Sequence, residues 1–153
     1  MLKQNYPKLD INFFKEPMMP LIVWTESLSV GIDSIDEQHK VLIQIINDLN
    51  NAKNNNETDA IMQQIFTRLI EYTEQHFKYE EDIFDEYAYE DTEAHKKQHQ
   101  ALIETIYELK QKFESGETRI GIEVLQFLNR WLTDHILKTD HAYTDFMHSN
   151  QIK

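Results

Sequence analysis

The chain has 153 residues, 41 % of them hydrophobic, a formal net charge of −12 and no cysteine. That length and apolar fraction suit one domain with a real core, while the negative charge disfavours nucleic acid and anionic membrane as partners. The missing cysteines exclude disulfides, thiolate metal sites and cysteine nucleophiles, and only three glycines and three prolines argue against a turn-rich all-β chain.

The N-terminal stretch MLKQNYPKLDINFFKEPMMP lacks the uninterrupted apolar run of a signal peptide. No segment approaches the ~20 apolar residues of a membrane span, so a cytoplasmic protein is expected. Pro7, Pro17 and Pro20 break any helix in this region. Residues 1–20 are therefore expected to form an irregular arm or extension, and 21–153 the folded domain. The short apolar run Leu21-Ile22-Val23-Trp24 is expected to pack on that domain.

Four helical stretches follow. The first runs from about Ser34 to Asn51, and Ser34 with Glu37 has the form of a capping box. Its apolar stripe holds Ile35, His39, Leu42, Ile46 and Leu49, and Asn54-Asn55-Asn56 makes a turn. The second, about Thr58 to Tyr87, is striped by Ile61, Ile65, Leu69, Tyr72, His76, Tyr79 or Glu80, Ile83 and Tyr87. The third, about Thr92 to Glu114, is striped by His95, His99, Leu102, Ile106, Leu109 and Phe113, with Gly116 suited to its C-terminal cap. The fourth, about Thr118 to His148, carries Val124, Leu128, Trp131 or Leu132, His135, Ile136, Thr139 and Tyr143. Steps of three and four mark helices with one buried face. Short connections predict an all-α, antiparallel, up-down-up-down four-helix bundle with an irregular N-terminal arm.

Every stripe contains histidine. Five of the seven histidines lie on them: His39, His76, His95, His99 and His135. His76 and Glu80 are one turn apart, as are His95 and His99, so each pair shares a face. Asp140 lies five after His135, about 500° on an α-helix, and does not stack on it. A lone histidine on an apolar stripe is usually a hydrogen-bonded core residue. Five imidazoles with two carboxylates in one core would need many polar partners, and a cation supplies them. His141 and His148 read as surface residues, and Glu81 and Asp82 as a solvated face.

Seven side chains exceed the needs of one first-row ion and suit two. If Glu80 and Asp140 bridge, the histidines divide three and two, and the poorer ion keeps an open position. Imidazole with carboxylate suits iron, zinc, copper or nickel, and spacing does not choose among them.

In order along the chain stand Trp24, Val30-Gly31-Ile32-Asp33, Asp36-Glu37-Gln38-His39-Lys40, His76-Phe77-Lys78-Tyr79-Glu80-Glu81, His95-Lys96-Lys97-Gln98-His99 and His135-Ile136-Leu137-Lys138-Thr139-Asp140. Together, over about Leu21 to Tyr143, they resemble the hemerythrin family in its bacterial form. The resemblance implies two iron ions (Fe2+/Fe3+) with an oxo or hydroxo bridge. It implies His95, His99 and His135 on one iron, His39 and His76 on the open one, and Glu80 and Asp140 bridging. A five-residue His-to-Asp step belongs to the family's pattern. Leu42, Phe77, Trp131, Leu132 and Ile136 would wall an apolar oxygen pocket.

The function so implied is reversible dioxygen binding, as carrier, store or supplier to oxygen-using enzymes, by a monomer that is not an enzyme. Nitric oxide or small anions are further expected ligands of the open iron. Two other classes compete: a sensor of dioxygen, nitric oxide or redox state, and a di-iron enzyme consuming peroxide or nitric oxide. A sensor would be expected to carry a fused output domain. Oxidative di-iron catalysts of ferritin-like bundles use mostly Glu, whereas five histidines supply fewer anionic donors.

Overall fold

The computed structural model describes residues 19–153, and all its regular structure is helical. Four long helices form the bundle: α1 Asp33–Asn54, α2 Asp59–Tyr87, α3 Thr92–Glu114 and α4 Ile122–Asp134. From α4 the chain continues through a π-helical turn, His135–Thr139, a 3-10 turn, Asp140–Tyr143, and a short helix α5, Thr144–Ser149. Along the bundle α1 packs on α2, α2 on α3, and α4 closes against α1. The arm expected at 1–20 lies outside the described residues except for Met19 and Pro20, which are exposed.

The apolar stripes make the core. Ile35, Leu42, Ile46, Leu49, Ile65, Leu69, Ile106 and Leu128 are all but completely buried, each stabilising the bundle by about 1.5–3 kcal/mol. Tyr87 departs from its stripe and is exposed, because α2 ends there in a left-handed residue, Ala88 at φ 54°. Phe84 and Tyr89 fill that end of the core instead, with ring centroids 4.9 Å apart.

Of the run 21–24, Ile22 is buried and Leu21 and Trp24 pack on the core as expected, whereas Val23 is exposed; a specific polar clamp holds the segment. Asn47 on α1 accepts from the Ile22 N–H and donates to the Ile22 carbonyl, both at 2.9 Å. The expected capping box at Ser34 and Glu37 is absent. The helix begins one residue earlier, at Asp33, and Ile32 stands at the cap position with no side-chain cap. Ser34 is already helical and accepts from the Tyr79 hydroxyl at 3.0 Å, while Glu37 pairs with Lys40. Asp36 organises this end, accepting from the Val30 N–H at 2.8 Å and from the Ser29 hydroxyl. Gly31 has φ +75°, and a Cβ there would meet the His148 ring at 3.2 Å, so turn and close approach both require glycine.

Thr58 caps α2, accepting from the Ile61 N–H at 3.3 Å, and Gly116, at φ +79°, follows the end of α3. The fourth helix differs most from expectation. Residues 118–121 are not helical, and Gly121, in extended conformation, precedes α4. Beyond Asp134 the helical path is not uniform: the Asp140 N–H bonds to the carbonyls of His135 and Ile136.

Candidate metal centre

Each bundle helix delivers its polar residues to one point in the core. His39 comes from α1, His76 and Glu80 from α2, His95 and His99 from α3, and His135 and Asp140 from the two ends of the π turn. The structure brings together all seven residues named from the sequence, every one buried. Apolar residues flank them along the helices: Ile35 and Leu42 on either side of His39, Phe84 one turn beyond Glu80.

The π turn resolves the five-residue spacing of His135 and Asp140. On a regular α-helix they would point about 140° apart. The i→i+5 bond from the Asp140 N–H to the His135 carbonyl inserts one extra residue into the turn, and the two side chains then meet, Nε2 to Oδ1 at 3.1 Å. Such bulges are a recognised way to re-aim a side chain at a functional site.

The atoms fall into two groups that share both carboxylates. One joins Glu80 and Asp140 to His95, His99 and His135, and the other joins them to His39 and His76, with the donor atoms of each group within 4.8 Å of one another. Within Glu80, Oε1 faces His76 Nε2 at 3.1 Å and Oε2 faces His99 Nε2 at 3.2 Å. Within Asp140, Oδ2 faces His39 Nε2 at 3.0 Å and Oδ1 faces His95 Nε2 at 3.3 Å. Each of the five Nε2 atoms thus stands 3.0–3.3 Å from a carboxylate oxygen.

None of the five Nε2 atoms has a hydrogen-bond partner, and neither do Glu80 Oε2 or both Asp140 oxygens. Eight converging, dehydrated polar atoms without partners would cost heavily in an apolar core. The donor set of imidazole and carboxylate fits first-row divalent cations. Charge points the same way. Burial would push both carboxyls up, and in Asp140 the nearby Glu80 adds to that, yet the surrounding imidazoles hold both below the usual carboxylate range. Burial likewise disfavours the His95 cation, but Asp140 and Glu80 outweigh it and raise its pKa to about 9. His135 is raised against its burial by Asp140, whereas burial and the adjacent His76 lower His39.

A second layer holds the first. His76 Nδ1 meets Gln38 Oε1 at 2.6 Å, His99 Nδ1 meets Glu81 Oε1 at 2.9 Å, and the Tyr143 hydroxyl donates to Glu80 Oε1 at 2.7 Å. Glu81 is thus no solvated face; it turns back under His99, while Asp82 is exposed and pairs with Lys78. Sequence periodicity missed Gln38 and Glu81 because each follows or precedes a ligand directly and points off the stripe. His141 and His148 are exposed as expected, and His148 Nε2 also meets the Gly31 carbonyl at 2.8 Å.

Of the expected pocket residues, Leu42, Phe77, Trp131, Leu132 and Ile136 are all buried. Phe77 stacks face-on against His99, centroids 3.7 Å apart, and meets His76 and Trp131 with its ring at 5.8 and 6.5 Å. Trp131 and His135 also line a groove of about 510 Å³ between α3 and α4.

The family model described as the hemerythrin HHE cation binding domain matches residues 30–146. The chain belongs to the hemerythrin family. A bacteriohemerythrin of Stenotrophomonas maltophilia is 36 % identical over 135 residues, 87 % of each chain. One from Methylococcus capsulatus is 32 % identical over 82 % of this chain and 95 % of its own. A crystal structure of wild-type hemerythrin superposes with a TM-score of 0.76 at 31 % identity, covering 82 % of this chain and 96 % of that one. The four-helix bundle and the inward-facing histidine and carboxylate cluster are therefore those of a hemerythrin. No described helix is long and apolar enough to cross a membrane.

Proposed function

We propose that this hemerythrin-family chain binds dioxygen reversibly at a pair of iron ions, serving as a carrier, store or local supplier. The observation that carries this reading is the division of each carboxylate: Glu80 Oε2 and Asp140 Oδ1 together face His95, His99 and His135, while Glu80 Oε1 and Asp140 Oδ2 face His39 and His76. His95, His99 and His135 would hold one ion, His39 and His76 the other, with Glu80 and Asp140 spanning both. Iron held in this donor set would supply the two electrons for reversible binding of dioxygen.

The chain's own residues set the conditions. The two-histidine group offers one protein ligand fewer, leaving room for a small molecule such as dioxygen, nitric oxide or a small anion. Phe77, Leu42, Trp131, Leu132 and Ile136 surround the cluster with hydrocarbon and aromatic surface, which keeps water and protons scarce. Tyr143 holds its proton on the Glu80 side, burial together with Asp140 and Glu80 raising its pKa well above that of an ordinary phenol. A dry site with few mobile protons favours release of intact dioxygen over loss of a reduced product. The five-histidine set also gives less anionic charge than the glutamate-rich sites of oxidative di-iron bundles, which supports binding over catalysis.

The test is a visible spectrum of iron-loaded, dithionite-reduced protein under argon, in air, and under argon again. Charge-transfer bands that rise in air and fade on purging are expected. Immediate passage to a stable oxidised form, with peroxide released or consumed, would replace this reading with a sensor or an enzyme.

A further inference from the structure

The second layer around the cluster is unequal: the contacts to His99, His76 and Glu80 bias the two halves in the same direction. A histidine that ligates through Nε2 carries its proton on Nδ1, so Nδ1 is the donor. His99, in the three-histidine group, then donates to Glu81, a carboxylate, at 2.9 Å. His76, in the two-histidine group, donates to Gln38, a neutral amide, at 2.6 Å. His39, the other member of that group, has no hydrogen-bond partner for Nδ1 among the described residues. A donor bond to an anion shifts electron density toward Nε2 and makes the ring a stronger ligand, while a neutral acceptor does so less.

The carboxylates repeat the pattern. Of the four oxygens of Glu80 and Asp140, three have no hydrogen bond, and the exception is Glu80 Oε1. The Tyr143 hydroxyl donates to it at 2.7 Å. That oxygen faces His76 at 3.1 Å, in the two-histidine group. A phenol drawing on its lone pair leaves Oε1 a poorer donor to a cation than Oε2, which faces His99 at 3.2 Å. Tyr143 is fully buried, so water does not compete for this bond.

We propose that Glu81, Gln38 and Tyr143 act as positioning residues that make the two cation positions unequal, so that the three-histidine position binds a divalent ion more tightly and fills first. This rests on reading the cluster as a two-ion centre, and it goes further by assigning the inequality to the second layer as well as to the ligand count. The two-histidine position, with the weaker donors, is the one whose ion exchanges.

Cobalt(II) chloride added stepwise to metal-free protein under argon, followed by the visible absorbance of the bound ion and by calorimetry, tests this without iron or dioxygen. Wild-type protein takes up two ions in resolved steps. Glu81→Gln keeps the acceptor but removes the charge, and weakens the first step by roughly tenfold while sparing the second. Gln38→Glu and Tyr143→Phe tighten the second step and spare the first. A merely structural defect would weaken both steps in every variant and tighten neither. Two indistinguishable steps in wild-type protein, or variants that move both steps alike, would overturn the inequality while leaving the two-ion reading intact. Uptake of one ion or none by wild-type protein would overturn both. If Gln38→Glu does not fold, the other two variants decide, Glu81 being partly exposed and phenylalanine nearly matching Tyr143 in shape.

Discussion

At the scale of single residues, two kinds of polar group are buried in this protein, and they behave differently. Asn47 is satisfied: its amide closes two hydrogen bonds with the backbone of Ile22 and fastens the segment before α1. Asn47→Leu should leave a buried N–H and a buried carbonyl unpaired and destabilise the protein by about 2 kcal/mol or more, read by urea unfolding of the metal-free form. The five Nε2 atoms are unsatisfied, and they are the ones a cation would use. His76→Ala should lower cation uptake from two to one and abolish the air-dependent spectrum, with the bundle still helical by circular dichroism. Normal dioxygen binding by that variant would sink the assignment of His76. The ligand histidines were legible because each sits on an apolar stripe, where a polar residue needs a reason. Glu81 was misread because a glutamate beside another glutamate on a helix looks like a solvated face until α3 is placed across from it.

At the scale of elements, the π turn is the informative departure. Stability alone gives no reason for it: i→i+5 bonding is rare in helices. Its effect is to set Asp140 under His135, and Thr139 Oγ1 ties the same turn to Gln98 on α3 at 2.9 Å. Lys138, exposed within the turn, is a residue whose deletion would restore i→i+4 bonding while keeping Tyr143 and Met147 in phase with the core. The deletion variant leaves Asp140 four residues after His135, the spacing by which His76 and Glu80 already share a face, and should keep its helicity, melt no lower than wild type in the metal-free state and still take up two cations. A lower melting temperature would mean that the fold, and not the site, needs the extra residue. The helix starts follow ordinary capping physics in one case and not in another. Thr58→Ala should cost about 1 kcal/mol in thermal or chemical denaturation through loss of its cap, whereas any cost of Ser34→Ala comes from its contact with Tyr79, since Ser34 lies inside α1 and caps nothing.

At the scale of the whole molecule, the cluster lies in the middle of an otherwise apolar core, so cation binding and folding are coupled. Saturation at roughly a thousandfold over Kd adds about 4 kcal/mol to stability. Removing the cations with a chelator should therefore lower the melting temperature markedly, while the fully buried leucines and isoleucines hold the bundle together; an unchanged melting temperature would argue that nothing binds there. The sequence by itself determined the helix count, the core stripes and the seven inward-facing polar residues, because helical periodicity is a local property that three- and four-residue steps record. It did not determine how those residues divide. Which carboxylate oxygen faces which imidazole, that Gln38 and Glu81 reach across to His76 and His99, and that the fourth helix loosens by one residue between His135 and Asp140 depend on the relative rotation and separation of helices distant in sequence. Only the packed bundle fixes those quantities, since they are set by side chains meeting across helices and not by any pattern within one.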